Sequence, residues 1–97
     1  MKTAIATLGD KEDSEISSMA GRAPFYLLFE GKKLVETINN PFRFGAGGAG
    51  VSVAKMLVDK GVNLVVAGKF GPNMLAILEE RKLKYKEASG KAIDALE

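Results

Sequence analysis

Cysteine, histidine, tryptophan and glutamine are all missing from this chain of 97 residues. Without cysteine there are no disulfides, no thiolate metal sites and no thiol nucleophile. Without histidine the chain lacks the commonest metal ligand and the commonest general base near neutral pH. An excess of one charge is also lacking. Fourteen Lys and Arg against 12 Asp and Glu leave +2, too little to argue for a nucleic-acid partner. No apolar run approaches the length of a membrane span, and no signal-peptide pattern precedes the first strand. No membrane association is therefore expected, and the cytoplasm is the expected compartment. Few thermolabile side chains beside many Lys and Glu fit a thermophilic source.

What is present is the composition of an ordinary soluble globular protein, with 46% hydrophobic and 27% charged residues. The length predicts one domain, residues 1–97. Residues 2–8 read as a short apolar strand ended by Gly9, followed by a polar loop in which Asp10, Glu12, Asp13 and Glu15 crowd together. Four carboxylates can hold a hard cation, but the glycine-kinked spacing of a calcium loop is absent, so a solvated loop is expected. Pro24 opens an unbroken apolar run over 25–29, the pattern of a buried strand. Glu30-Gly31-Lys32 signals a turn into a third strand over 33–38, so the pair predicts a hairpin.

A helix-like run over 51–60 follows, with Val51, Ala54, Leu57 and Val58 on its apolar face and Gly61 placed as a left-handed C-cap. Residues 63–67 suit a central parallel strand. Pro72 suits the first position of a second helix ending near Lys82, with Met74, Ile77 and Leu78 on its apolar face. Residues 83–86 alternate apolar and lysine, as a guarded edge strand does. Ser89 is placed to cap a last short helix with Ala92, Ile93 and Leu96 on one face. Ile5, Leu27, Leu57, Leu64, Val66 and Ile77 are the expected core. The order is β, β, β, α, β, α, β, α. It predicts an α/β fold with a mixed five-stranded sheet, strand two antiparallel and helices packed on it. The C-terminal ends of strands one, three and four should then share one sheet edge, where open α/β sheets bind ligands.

Two glycine-bearing helix starts fall at that edge. Gly45-Ala46-Gly47-Gly48-Ala49-Gly50 opens the first helix, and Gly71-Pro72-Asn73 the second. Bare N–H groups at a helix start attract an anion, so Gly45, Gly47, Gly48 and Asn73, with Arg22 and Lys69, are the candidate anion-binding residues. The alternative is a loop that needs small residues to pack tightly. Gly45, Gly47 and Gly50 also satisfy G-x-G-x-x-G. A dinucleotide fingerprint further needs a strand running straight into the first glycine and an acidic residue about twenty positions on, and both are lacking. No catalytic residues are assigned. A metal-dependent nuclease needs carboxylates in its core strands, and residues 2–8 and 63–67 contain none.

Gly21-Arg22-Ala23-Pro24-Phe25-Tyr26, Asn39-Asn40-Pro41, Gly45-Ala46-Gly47, and Val65-Val66-Ala67-Gly68 with Gly71-Pro72-Asn73 occur in series. In that order and approximate spacing they resemble the dinitrogenase iron–molybdenum cofactor biosynthesis family, the NifX-like proteins and the C-terminal domain of NifB. The resemblance spans nearly the whole chain. It implies a three-layer ribonuclease-H-like fold and a non-catalytic protein that binds or carries an iron–molybdenum cofactor or an iron–sulfur cluster. Relatives often carry a histidine just before the Gly-Arg-Ala-Pro stretch and another directly before Gly-Ala-Gly. Met19 and Phe44 stand at those places. The expected partner is thus an anionic small molecule or metallocluster. The alternative is a protein-interaction module or homodimer, docking through the 83–86 edge or the pair Phe42 and Phe44.

Overall fold

The computed structural model describes residues 1–44 and 48–96. The central strand, β1 (Lys2–Thr7), is buried along nearly its whole length. It pairs antiparallel with β2 (Phe25–Glu30), which pairs antiparallel with β3 (Lys33–Asn39). On its other side β1 pairs parallel with β4 (Leu64–Ala67), which pairs parallel with β5 (Lys84–Glu87). The sheet order is therefore β3-β2-β1-β4-β5, the mixed five-stranded arrangement expected, with strand two antiparallel. Each boundary lies close to its sequence estimate. β1 stops at Thr7, one residue early, because the Thr7 hydroxyl donates to the Gly9 carbonyl at 2.8 Å and Leu8 turns half into solvent.

Alternation along β1 sorts the layers. Ala4 and Ala6 face one side and Ile5 the other. Register keeps the sides matched, with Ala4 opposite Leu28 and Val65, and Ile5 opposite Leu27 and Val66. Both α-helices pack on the alanine side, where short side chains let helix backbones come close. From α1 (Ala49–Asp59) the buried residues there include Val53, Ala54 and Leu57; from α2 (Pro72–Glu80) they are Met74 and Leu78. Ile77, expected in the core, is only partly buried at the margin of this cluster.

Both helices end in the same hydrogen-bonded motif. At α1, Gly61 has φ +77, its N–H donates to the Val58 carbonyl at 3.0 Å, and the Val62 N–H donates to the Leu57 carbonyl at 3.2 Å. This is the Schellman pairing with glycine at the left-handed position, as Gly61 predicted. At α2 the same pairing runs from Lys82 to Glu79 at 3.1 Å and from Leu83 to Leu78 at 2.8 Å. Here the left-handed residue is a lysine, with φ +60, a conformation that costs a non-glycine residue roughly 1–2 kcal/mol. Leu83 is used up in this cap, so β5 begins one residue later than expected.

The opposite face of the sheet buries Ile5, Leu27, Phe29 and Val66 beneath a thinner layer: Ile16, and a 3-10 helix (Ala92–Leu96) that contributes buried Ala92 and partly buried Ala95 and Leu96. Leu64 packs at the edge of this cluster and is partly buried, not fully as expected. Ser89 does not cap the last helix. The Ala92 N–H donates to the Ser14 carbonyl at 2.9 Å and the Ile93 N–H to the Glu12 carbonyl at 3.0 Å, so the polar loop supplies the acceptors that a cap would have offered. The tighter 3-10 winding rotates Ile93 outward, to 42% exposure.

Candidate functional site

The topology brings the C-terminal ends of β1, β3 and β4 to one edge of the sheet. The chain leaving β1 crosses over the end of β4. Ser17 donates its N–H to Ala6 at 2.8 Å and accepts at its carbonyl from Gly68 at 2.8 Å, and the Ala20 N–H donates to the Lys69 carbonyl at 2.9 Å. A side chain at Gly68 has no room. Its Cβ would lie 2.7 Å from Ser18 Cα and 3.0 Å from the Ser17 carbonyl oxygen. Close approach of two backbones is the reason for glycine there.

Two buried polar side chains fix the next turn. Asn40 is 3% exposed. Its amide nitrogen donates to the Gly21 carbonyl at 3.1 Å and the Ala23 carbonyl at 2.9 Å, while its amide oxygen accepts from the Phe42 N–H at 3.0 Å. The Tyr26 hydroxyl donates to the Ala20 carbonyl. Burial pushes this phenol far above its ordinary pKa of 10.0, because the phenolate would have to sit in a dry site. Neither side chain stands out in the sequence as a site builder; both Asn40 and Tyr26 fall only within stretches that carry the family resemblance. A buried asparagine satisfied by backbone from two loops leaves no periodic trace.

The result is a cleft of about 310 Å³ between the residues that follow Met19, the start of α1 and the start of α2. Arg22, Gly48, Lys69 and Asn73, four of the six expected anion-binding residues, line it together. The other two, Gly45 and Gly47, lie outside the described residues. Gly48 takes φ +69 as the N-cap of α1, and Gly71 is the N-cap of α2. Neither cap residue makes a side-chain hydrogen bond to its helix, so the first-turn N–H groups have no side-chain cap. The packing reading of the glycines also has support here. A Cβ on Gly50 would meet Met74 Cβ at 3.0 Å, and one on Gly21 would meet Gly50 at 3.1 Å. Gly21, Gly50 and Gly68 thus bring the walls together, while Gly48 and Gly71 have nothing within 4 Å of an added Cβ.

The Arg22 guanidinium donates to the Arg43 carbonyl at 3.3 Å, and the Arg43 guanidinium sits 4.7 Å from the centre of the Phe44 ring. Met19 stands at the cleft rim, 54% exposed, and Met74 in its floor, 1% exposed. Phe42 and Phe44 do not form a pair. Phe42 packs against the helix-side core, and Phe44 is 85% exposed. Among the described residues no three Asp or Glu side chains gather as a metal-holding group. Also among the described residues, no helix is long and apolar enough to cross a membrane.

The sequence profile of the family described as dinitrogenase iron-molybdenum cofactor matches residues 1–97. Solved structures show the same fold. The apo orange protein from Desulfovibrio gigas superposes with a TM-score of 0.90 at 20% identity, covering 98% of this chain and 82% of that one. A Thermotoga protein provisionally described as NifB gives 0.82 at 26% identity, covering 98% and 83%. A protein from Methanocaldococcus jannaschii, provisionally described as a dinitrogenase, gives 0.65 at 18% identity, covering 98% and 82%. No curated protein sequence matches this chain.

Proposed function

The chain belongs to the dinitrogenase iron-molybdenum cofactor family, and from that premise we propose that it is a non-catalytic accessory protein whose cleft receives an anionic metallocluster or oxoanion. The observation that carries this reading is the meeting of two helix starts, neither with a side-chain cap, with Arg22 and Lys69 at a single cleft. Each helix start presents N–H donors and about half a positive charge, and arginine grips an oxoanion with paired N–H groups. The cleft offers no thiolate and no imidazole, since the chain has neither residue. Met19 and Met74 bring only thioethers, which are soft, weak ligands. The cargo is therefore held from outside, by charge and hydrogen bonds, and not through metal–protein bonds.

The test is a titration with molybdate and with phosphate, followed by amide chemical shifts. Shifts should cluster at residues 21–22, 48–50 and 69–74. Gly71→Ser should weaken binding several-fold while leaving the fold slightly more stable, because a serine cap occupies the same N–H groups as the anion. Anaerobic reconstitution with iron, sulfide and molybdate should leave no stoichiometric iron and sulfide after desalting. Retention of both would place metal ligands on the protein and refute the outside-held reading. A second reading, docking of a protein partner or a second copy, is favoured by Phe44 standing 85% exposed close to Arg22 and the cleft. It gains if millimolar anion moves no amide at the cleft.

A further inference from the structure

The sheet edge opposite the cleft carries a second hollow, of about 600 Å³, where β1, β4 and β5 begin and α2 ends. Its wall includes Val62, Asn63, Arg81, Lys82, Leu83 and Lys84. Three cations fall within four residues, and among the described residues no carboxylate lines the hollow. Asn63 fixes the floor: it exchanges hydrogen bonds with Lys2 at 2.8 Å and accepts from the Lys84 N–H at 3.1 Å. Arg81 has a contact with neighbouring Glu80 at 3.8 Å, but both side chains are more than half exposed, which leaves that pair weak.

One backbone feature points at the same place. Lys82 occupies the left-handed position that closes α2, with φ +60. The equivalent position of α1 is Gly61, the residue that suits this conformation. Strained non-glycine residues concentrate at functional sites, and this one adds an ammonium group to a hollow already bordered by Arg81 and Lys84. A cation at a helix C-terminus also complements the helix dipole. That role alone asks for no particular ligand and no particular hollow.

We infer that this hollow is a binding site for a phosphate chain, an anion with two or more linked phosphates. Three cations bordering one hollow match a multiple anion better than a single phosphate, and the guanidinium of Arg81 suits bidentate phosphate contact. The site lies at the far edge of the sheet from the cleft, so it is independent of the cargo reading.

The experiment uses the whole chain, titrated with tripolyphosphate, ADP and orthophosphate at low and moderate salt and followed by amide shifts. Tripolyphosphate should bind at least tenfold more tightly than orthophosphate, move residues 62–63 and 81–84, and weaken with salt. Equal shifts with ADP would assign the phosphate chain of a nucleotide as an equal source; a free polyphosphate is the source if ADP is weaker. The deciding variant is Lys82→Gly. It should raise Tm by a few degrees, since glycine relieves the strained position, and weaken tripolyphosphate about threefold or more. Lys84→Ala should weaken it as well, with Tm little changed. A Tm gain with binding unaltered would show that Lys82 serves only the helix end. Shifts confined to the opposite cleft, or tighter binding of a hexaglutamate peptide, would equally overturn the assignment.

Discussion

Gly68→Ala adds one methyl group where three backbone atoms already stand. The new Cβ would lie 2.7 Å from Ser18 Cα, 3.0 Å from the Ser17 oxygen and 3.1 Å from the Ser18 oxygen. No side chain can swing aside, so the crossing segment itself must lift. Overpacking of this kind costs about 1–3 kcal/mol. Lifting the segment also stretches the bonds from Gly68 to Ser17 and from Ala20 to Lys69, each worth about 1 kcal/mol. A total near 3 kcal/mol follows, and at about 4–8 °C per kcal/mol for a chain of this size Tm should fall by roughly 12–24 °C. Gly71→Ser is the control. Nothing lies within 4 Å of its added Cβ and its φ is −71, so serine should match or slightly exceed glycine as the cap, by a few tenths of a kcal/mol. Thermal and urea unfolding followed by circular dichroism measure both. A loss below about 0.5 kcal/mol for Gly68→Ala would show that the segment over β4 gives freely. The cleft would then have no rigid wall on that side.

Leu57 is fully buried between α1 and the sheet, so Leu57→Ala should cost about 2–5 kcal/mol in urea unfolding; a loss under half a kcal/mol would contradict its packing. The two tyrosines should separate in a spectrophotometric titration. The Tyr85 hydroxyl donates to Glu79 at 3.1 Å, and that bond raises its pKa above 10.0, yet it stands exposed and should ionise without unfolding. Tyr26 should stay protonated until the chain unfolds. Its folded pKa is raised above the unfolded value of 10.0, so its contribution to stability is fully present below pH 10 and is lost above it. Tyr26 alone should contribute a slope of about 1.4 kcal/mol per pH unit, and Tyr26→Phe should remove that contribution.

The strands and both α-helices were legible because their apolar periods are plain. Phe25 to Phe29 is an unbroken apolar run, and Leu57 and Leu78 fall on single helical stripes. The rim was legible from topology, since right-handed crossovers and an antiparallel second strand leave little choice about which loops meet. What escaped depends on contacts distant in sequence. Ser89 looked like a cap, but the acceptors for the last helix come from Glu12 and Ser14. Ile77 carries the right period for the core, yet α2 buries Met74 and Leu78 and leaves Ile77 at the margin of the cluster. Lys82 takes the left-handed position where a glycine is usual, so the sequence carries no sharp stop after Glu80, and the end expected near Lys82 lies two residues beyond the observed one. The structural role of Asn40 leaves no local pattern, because its partners Gly21 and Ala23 lie 19 and 17 positions away.

The central place of β1 has a consequence for the order of events in folding. β1, β2 and β3 form a continuous antiparallel meander that is complete by Asn39, and pairing between chain neighbours closes quickly. The other edge of β1 must wait for β4; the Lys2 to Asn63 contact beside that pairing spans 61 positions. Until then Ala4, Ile5 and Ala6, which are wholly buried in the finished sheet, present unpaired backbone and apolar faces. During synthesis this open edge persists for as long as the intervening chain takes to emerge. It is the segment of the molecule most exposed to wrong strand partners. Slowing translation between Asn39 and Asn63 should therefore raise aggregation during synthesis while leaving the stability of the folded chain unchanged.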